Sequence, residues 1–178
     1  MRKLKVNELG RKTVEEFKAS GKNSFIIVLD NVRSLNNIGS IFRTADAFLA
    51  EGVYLCGICA TPPHRDIHKT ALGATESVDW KYYASTIDAV NELRGRGYTI
   101  VSVEQVDRPI LLQDFKPGQN KSYAFIFGHE VKGVSEEIIK LSDFCIEIPQ
   151  AGTKHSLNIA VSAGIVMWKT YEAMNGAG

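Results

Sequence analysis

YAFIFGHEVKGVSEEIIKLS, residues 123–142, joins three signals that decide the architecture. Its first five residues are apolar at consecutive positions, so a strand there presents apolar side chains to both faces of its sheet, as happens when helices cover both sides. GHEVKGVS follows, with four residues between two glycines and a serine just ahead of the helix-like EEIIKLS. Strand, glycine loop and helix in succession form the unit of a parallel α/β sheet.

The same alternation extends in both directions from this unit. SFIIVLD, GVYLCGIC, VDWKYY, YTIVSVEQ and FCIEIP read as further strands, and helical patterns cover 38–50, 67–75, 85–95, 134–142 and 156–173. Residues 107–122, DRPILLQDFKPGQNKS, form the longest irregular connection. The chain of 178 residues is 44% hydrophobic and 23% charged, enough for one sizeable core. The fold class is therefore α/β, a single domain with a mainly parallel sheet and helices on both faces. No internal repeat or low-complexity linker marks a second domain.

Charge is unevenly spread. Residues 1–22 carry seven Lys or Arg against three Glu, a local +4 within an overall +1. We treat them as a basic N-terminal helix or arm, and residues 23–178 as the main domain. Such an arm either attracts a phosphate backbone or is simply a solvated amphipathic helix. No apolar run is long enough to span a bilayer, and MRKLKVNELGRK lacks the hydrophobic centre of a signal peptide, so the expected location is cytoplasmic and no membrane partner is expected. Three cysteines do not make a disulfide framework.

Several familiar site patterns fail on inspection. GHEVKGVS lacks the lysine that a P-loop places after its second glycine, since Lys132 precedes Gly133. His129-Glu130 lacks the second histidine of a zinc-protease helix. GRGYTI lacks the third glycine of a dinucleotide fingerprint. Cys56, Cys59, His64 and His68 have the donor types zinc prefers, with an unusually short central gap. Cys56 and Cys59, three apart in a strand, would face opposite sides, which favours buried, inert thiols and no metal.

Two further segments hold chemistry-bearing residues. In DNVRSLNNIGSIFRTADAF, a helix from Ile38 gathers Ile38, Ile41, Phe42, Ala45, Phe48 and Leu49 on one arc and projects Arg43 from the other side. Gly39 and Ala47, one turn before and after, leave room for a ligand or another chain to approach Arg43. The plainer reading is an exposed Arg43–Asp46 ion pair. In IPQAGTKHSLNIAVSAGIVMWK, Ser156 is placed to cap a helix that is apolar almost all round apart from Asn158, Ser162 and Lys169. Such a helix should be buried, and Ala160, Ala163 and Gly164 form a small-residue face for a close helix, either within the chain or from a second subunit.

Taken together and in order, NNIGSIFRTADAF, IFGHEVKGVS and IPQAGTKHSLNIAVSAGI resemble the three motifs of the SPOUT class of RNA methyltransferases, specifically the SpoU or TrmH family of 2'-O-ribose methyltransferases, over most of residues 25–170. The resemblance implies a SPOUT fold with a C-terminal trefoil knot, a homodimer with composite active sites, and S-adenosyl-L-methionine bound in the knot. It implies an RNA substrate, tRNA or rRNA, with tRNA preferred because a compact folded RNA suits a small dimer. By position, Asn37, Arg43, Glu130, Ser156 and Asn158 match the family's functional polar residues. Gly128, Ile148 and Leu157 match its donor-contacting positions, and Glu130, Gly133, Gly152 and Ser156 join them in the loops around the donor. The glycines at 128, 133 and 152 would let main chain approach the adenine. Lys132, Lys154 and His155, with Arg43, are placed for RNA phosphates. Ala160 stands where many members have serine. The alternative is a SPOUT-like protein that binds RNA without methylating it.

Overall fold

SFIIVLD becomes β1 (Asn23–Asp30), and six more strands follow it into one sheet: β2 (Ala50–Cys56), β3 (Trp80–Tyr83), β4 (Thr99–Val103), β5 (Ile110–Leu111), β6 (Tyr123–Phe127) and β7 (Phe144–Glu147). The structure, a computed structural model, describes residues 1–118 and 120–176. The sheet order is β3-β2-β1-β6-β4-β7-β5, and every pairing is parallel. β6 lies at the centre, with Phe125 opposite Ile27 of β1 on one side and Val101 of β4 on the other.

The helices are α1 (Val14–Ala19), α2 (Leu35–Ala47), α3 (Arg65–Ala71), α4 (Ala74–Ser77), α5 (Thr86–Gly95), α6 (Glu136–Leu141) and α7 (Ile159–Asn175). Alternate residues of the central strands feed two cores. Phe25, Ile27, Leu29, Phe125 and Phe127 meet the apolar faces of α2 and α7, and Phe17 of α1 joins them. Ile26, Val28, Ala124 and Ile126 meet α5 and α6 on the opposite face. Helices therefore cover both faces, which is why YAFIF shows no polar alternation.

Local chemistry moved several boundaries from their expected places. α2 starts at Leu35 because the Ser34 side chain accepts the Asn37 amide and caps it there. The single helix expected over 67–75 is two, broken where Leu72 (φ 51°) and Gly73 (φ 91°) turn left-handed. β2 stops at Cys56, because Gly57 adopts φ 62°. The expected irregular stretch 107–122 contains β5, two residues that pair with the end of β7. α7 begins at Ile159, and its cap is Asn158 rather than Ser156: the Asn158 Oδ1 accepts the amides of Ala160 (2.9 Å) and Val161 (3.4 Å).

α7 is not buried all round in this chain. Ala163 is fully buried and Gly164 faces Thr44 of α2 at a distance that leaves ordinary contact, so the small-residue face serves packing within the chain. The exposed apolar residues are Val161 (51%), Ile165 (37%) and Trp168 (51%), spaced as one stripe along the helix. Among the described residues, no helix is long and apolar enough to cross a membrane.

Candidate active site

In an open parallel sheet, a ligand crevice forms at the carboxyl ends of neighbouring strands whose connections leave toward opposite faces. β1 and β6 are such neighbours: β1 runs on to α2 on one face, and β6 to α6 on the other. The glycine loop 128–135 leaves β6 at this point.

This loop is folded on itself. His129 and Gly133 exchange two main-chain hydrogen bonds, at 3.0 and 2.8 Å. The His129 Nδ1 accepts the Val131 amide at 3.0 Å, so the tip is closed from inside. A Cβ on Gly128 would lie 2.0–2.2 Å from the main chain of Gly133 and Val134. Gly133 has φ 68°, and a Cβ there would meet the Glu104 carboxylate at 2.1 Å. Gly128 is thus required by the loop's own closure and Gly133 by its left-handed backbone, whereas at Gly152 nothing within 4 Å demands a glycine.

Glu130 reaches from the loop to the start of α2. Its carboxylate accepts the main-chain amides of Arg33 (3.1 Å) and Ser34 (2.9 Å), with the Asn37 Nδ2 at 3.5 Å. Partial burial pushes this carboxyl up, but hydrogen bonds from its own amide, Ser34, Arg33 and Asn37 outweigh that, and it titrates below the usual glutamate range. The Asn158 Nδ2 donates to the Asn37 Oδ1 at 3.1 Å. Glu130, Asn37 and Asn158, one from each motif, therefore form a continuous polar chain.

That chain borders a cavity of about 530 Å³, within the size range of small-molecule sites. From the glycine loop it is lined by Gly128, Glu130, Lys132 and Gly133, and from the segment before α7 by Ile148, His155, Ser156, Leu157 and Asn158, with Asn37 at α2. Leu157 is 39% exposed, an apolar side chain held open at the cavity. Arg43, Gly152 and Lys154 are not among the lining residues. Glu104, Gln105, Gln150 and Ser162 also line it, and sequence reasoning missed all four. Gln105 donates to the His155 carbonyl at 3.0 Å and ties β4 to the second loop. The only signal available was that Glu104-Gln105 directly follow a buried strand.

Arg43 is exposed on α2 and forms no ion pair with Asp46. Asp46 instead accepts the Ser77 hydroxyl. Gly39 does not open space beside Arg43 either. It is buried, and a Cβ there would lie 2.1 Å from the Thr70 hydroxyl and 2.3 Å from the Ile67 carbonyl, so its size serves the packing of α3 on α2.

The four candidate zinc donors do not converge. His64, the cap of α3, and His68 within it are exposed, while Cys56 and Cys59 are buried, and among the described residues no cluster of three or more His, Cys, Asp or Glu is poised for a metal. Cys59 lies in the turn after β2, not in the strand, where its sulfur accepts the Val32 amide and donates to the Leu29 carbonyl. Burial pushes the Cys56 thiol up to about 12 and the Cys59 thiol up to about 11, so both stay protonated.

A parallel α/β sheet whose switch-point cavity is walled by a self-closed glycine loop and by the segment leading into the last helix belongs to the open α/β folds that bind a ligand at the carboxyl ends of their strands. Residues 24–168 match the SpoU rRNA Methylase family, and the chain belongs to it. It is similar to YacO of Bacillus subtilis (strain 168), which is provisionally placed in the TrmH family of tRNA/rRNA methyltransferases, with 31% identity over 86% of this chain. The chain spans about three fifths (61%) of that relative's length. Among solved structures, the TrmH/SpoU tRNA modifying enzyme of A. aeolicus has the same fold, with TM-score 0.79 and 24% identity over 90% of this chain and 80% of that one. The SpoU methyltransferase AviRb of Streptomyces viridochromogenes, solved in complex with AdoMet, gives TM-score 0.75 and 25% identity over 87% and 62% of the two chains.

Proposed function

We propose that the protein transfers a methyl group from S-adenosyl-L-methionine to a ribose 2'-hydroxyl of tRNA or rRNA, with tRNA preferred, and that it works in the cytoplasm as a homodimer with the knotted C-terminus of its family. The observation that carries this reading is the Glu130–Asn37–Asn158 chain, which joins all three motifs at the rim of one cavity. The cavity fits the donor in size, with Leu157 and Ile148 in its lining as apolar surfaces for a purine. When bound, the donor supplies an activated methyl group together with its own leaving group.

The chain's residues do the rest. A ribose hydroxyl is a poor nucleophile until its proton is leaving, so the site must position it and favour its alkoxide character. Asn37 and Asn158 present fixed amide groups, and Ser156 a hydroxyl, to orient the ribose. Glu130 acts as a clamp on the start of α2, because its oxygens are already taken by amides. Arg43 holds the neighbouring phosphate and stabilises the developing oxyanion, a role suited to a planar guanidinium with five donors and no acceptor. Arg43 lies outside the cavity of its own chain, so in this reading it serves the cavity of the second protomer. The exposed stripe Val161, Ile165 and Trp168 is the surface we assign to that contact. Lys132, Lys154 and His155 add phosphate contacts.

The test is methylation of total RNA from a strain lacking the gene, using labelled donor, followed by mapping of the labelled nucleotide. Label on a 2'-oxygen of tRNA is the expected result. Label on a base refutes the ribose assignment, and no label with demonstrable RNA binding refutes the enzyme.

A further inference from the structure

Two carboxylates from strands on either side of β6 hold consecutive amides at the exit of the glycine loop. Glu104, just after β4, accepts the Val134 amide at 2.8 Å with Oε2, and its Oε1 accepts the Gln105 amide at 2.9 Å. Asp30, the last residue of β1, accepts the Ser135 amide at 3.2 Å with Oδ2. Its Oδ1 accepts the Thr86 hydroxyl at 2.6 Å and the Asn31 Nδ2 at 2.8 Å. Asp30 is 2% exposed. A carboxylate is costly at such depth unless donors surround it, and here three do.

The His129–Gly133 bridge makes the loop tip rigid in itself but does not fix how the tip leans over the cavity. Glu130 ties the tip to the start of α2 on one side, and the other constraint on the lean acts where the loop rejoins the body, at Val134 and Ser135. We propose that Asp30 and Glu104 are positioning residues for the methyl donor, a two-sided clamp that sets the glycine loop at the height donor binding needs. This rests on the methyltransferase reading of the cavity. Hydrogen bonds to an ionised acceptor are shorter and stronger than neutral ones, so a pair of them on adjacent amides leaves the loop exit one orientation. Glycine at 133 follows from the same arrangement, since any side chain there would displace the Glu104 carboxylate.

The test uses the full chain with Glu104→Gln, Asp30→Asn and, as a control, Thr86→Val, which removes a different bond to Asp30 and leaves Ser135 held. Calorimetry with S-adenosyl-L-methionine, steady-state kinetics and amide exchange at Val134 and Ser135 are measured on each. Both carboxylate variants are expected to weaken donor binding about tenfold and raise the donor KM to match, with kcat at saturating donor within about twofold of the parent. Exchange at the two amides accelerates, and Thr86→Val keeps the parent's donor affinity. Parental donor affinity in a folded Glu104→Gln overturns the clamp, as does a loss confined to kcat or an equal loss in Thr86→Val. Glu104 is only partly buried, so Glu104→Gln carries the test alone if Asp30→Asn does not fold. A parent protein with no donor affinity at all refutes the methyltransferase reading itself, an outcome distinct from unchanged variants.

Discussion

Asn158 performs two tasks that substitution can separate. Its Oδ1 caps α7, and its Nδ2 donates to Asn37 at 3.1 Å. Asn158→Ala removes both, costing about 1 kcal/mol for a lost N-cap and about 1 kcal/mol for a lost hydrogen bond, so roughly 2 kcal/mol in all. Asn158→Asp keeps the capping oxygen and gains about 0.3–1 kcal/mol from a negative charge at a helix N-terminus. It loses the donor to Asn37 and sets a second carboxylate near Glu130, so the net stability change should stay within about 1 kcal/mol of the parent. Ser156→Ala, at the residue whose type and place suggest a cap, should change stability by less than about 0.5 kcal/mol. Urea unfolding of the four proteins, compared at equal m-value, measures this directly. Methylation should fall in both Asn158 variants, including the one that keeps its stability. The reasoning is refuted if Ser156→Ala costs as much as Asn158→Ala, or if Asn158→Asp unfolds as early as the alanine variant.

Gly39→Ala gains about 1 kcal/mol of helix propensity, yet the Ile67 carbonyl at 2.3 Å from the new Cβ is main chain that cannot swing aside. Overpacking of about 1–3 kcal/mol or more should win, and a raised midpoint in urea would contradict the α2–α3 contact. Because the folded-state carboxyl of Glu130 titrates below its unfolded value, its contribution is present above the unfolded pKa and is lost as pH falls through the folded one. The stability gap between the parent and Glu130→Gln should therefore be open at neutral pH and close below about pH 4; a gap independent of pH in urea titrations would show that the charge is irrelevant. Arg43→Ala should lose about 2–4 kcal/mol of transition-state stabilisation while Arg43→Lys retains measurable turnover, both with parental donor affinity. Single-turnover methylation across pH checks this, and near-parental rates for the alanine variant remove Arg43 from the mechanism.

The strands were legible because burial on both faces leaves an apolar run that needs no partner to be recognised, as in YAFIF and SFIIVLD. β5 was not, since Ile110 and Leu111 are exposed and follow from pairing with β7 alone. Cavity-lining residues that sit in contiguous motifs, such as Asn37, Glu130 and Asn158, could be named as candidates from the sequence. Glu104 and Gln105 could not, because their place beside the glycine loop comes from β4 lying next to β6, a neighbour relation absent from local sequence. The reading that Gly39 leaves room beside Arg43 was wrong. Small residues announce that something comes close, but at Gly39, Gly128 and Ala163 what comes close is another part of the same chain.

The central position of β6 has a consequence for how the molecule is made. β1 and β4 flank it, and both precede it in the chain. While the ribosome is still short of residues 123–127, β1 has one side with no partner, and β4, whose other neighbour β7 also lies later in the chain, has none on either side, in the part of the sheet that is most apolar. Unpaired strand edges of this kind template pairing with other chains, and the missing contacts are ones of long sequence separation that form slowly. Recovery from denaturant should accordingly fall as protein concentration rises. In the cell, the interval before β6 emerges is when this chain most needs a chaperone.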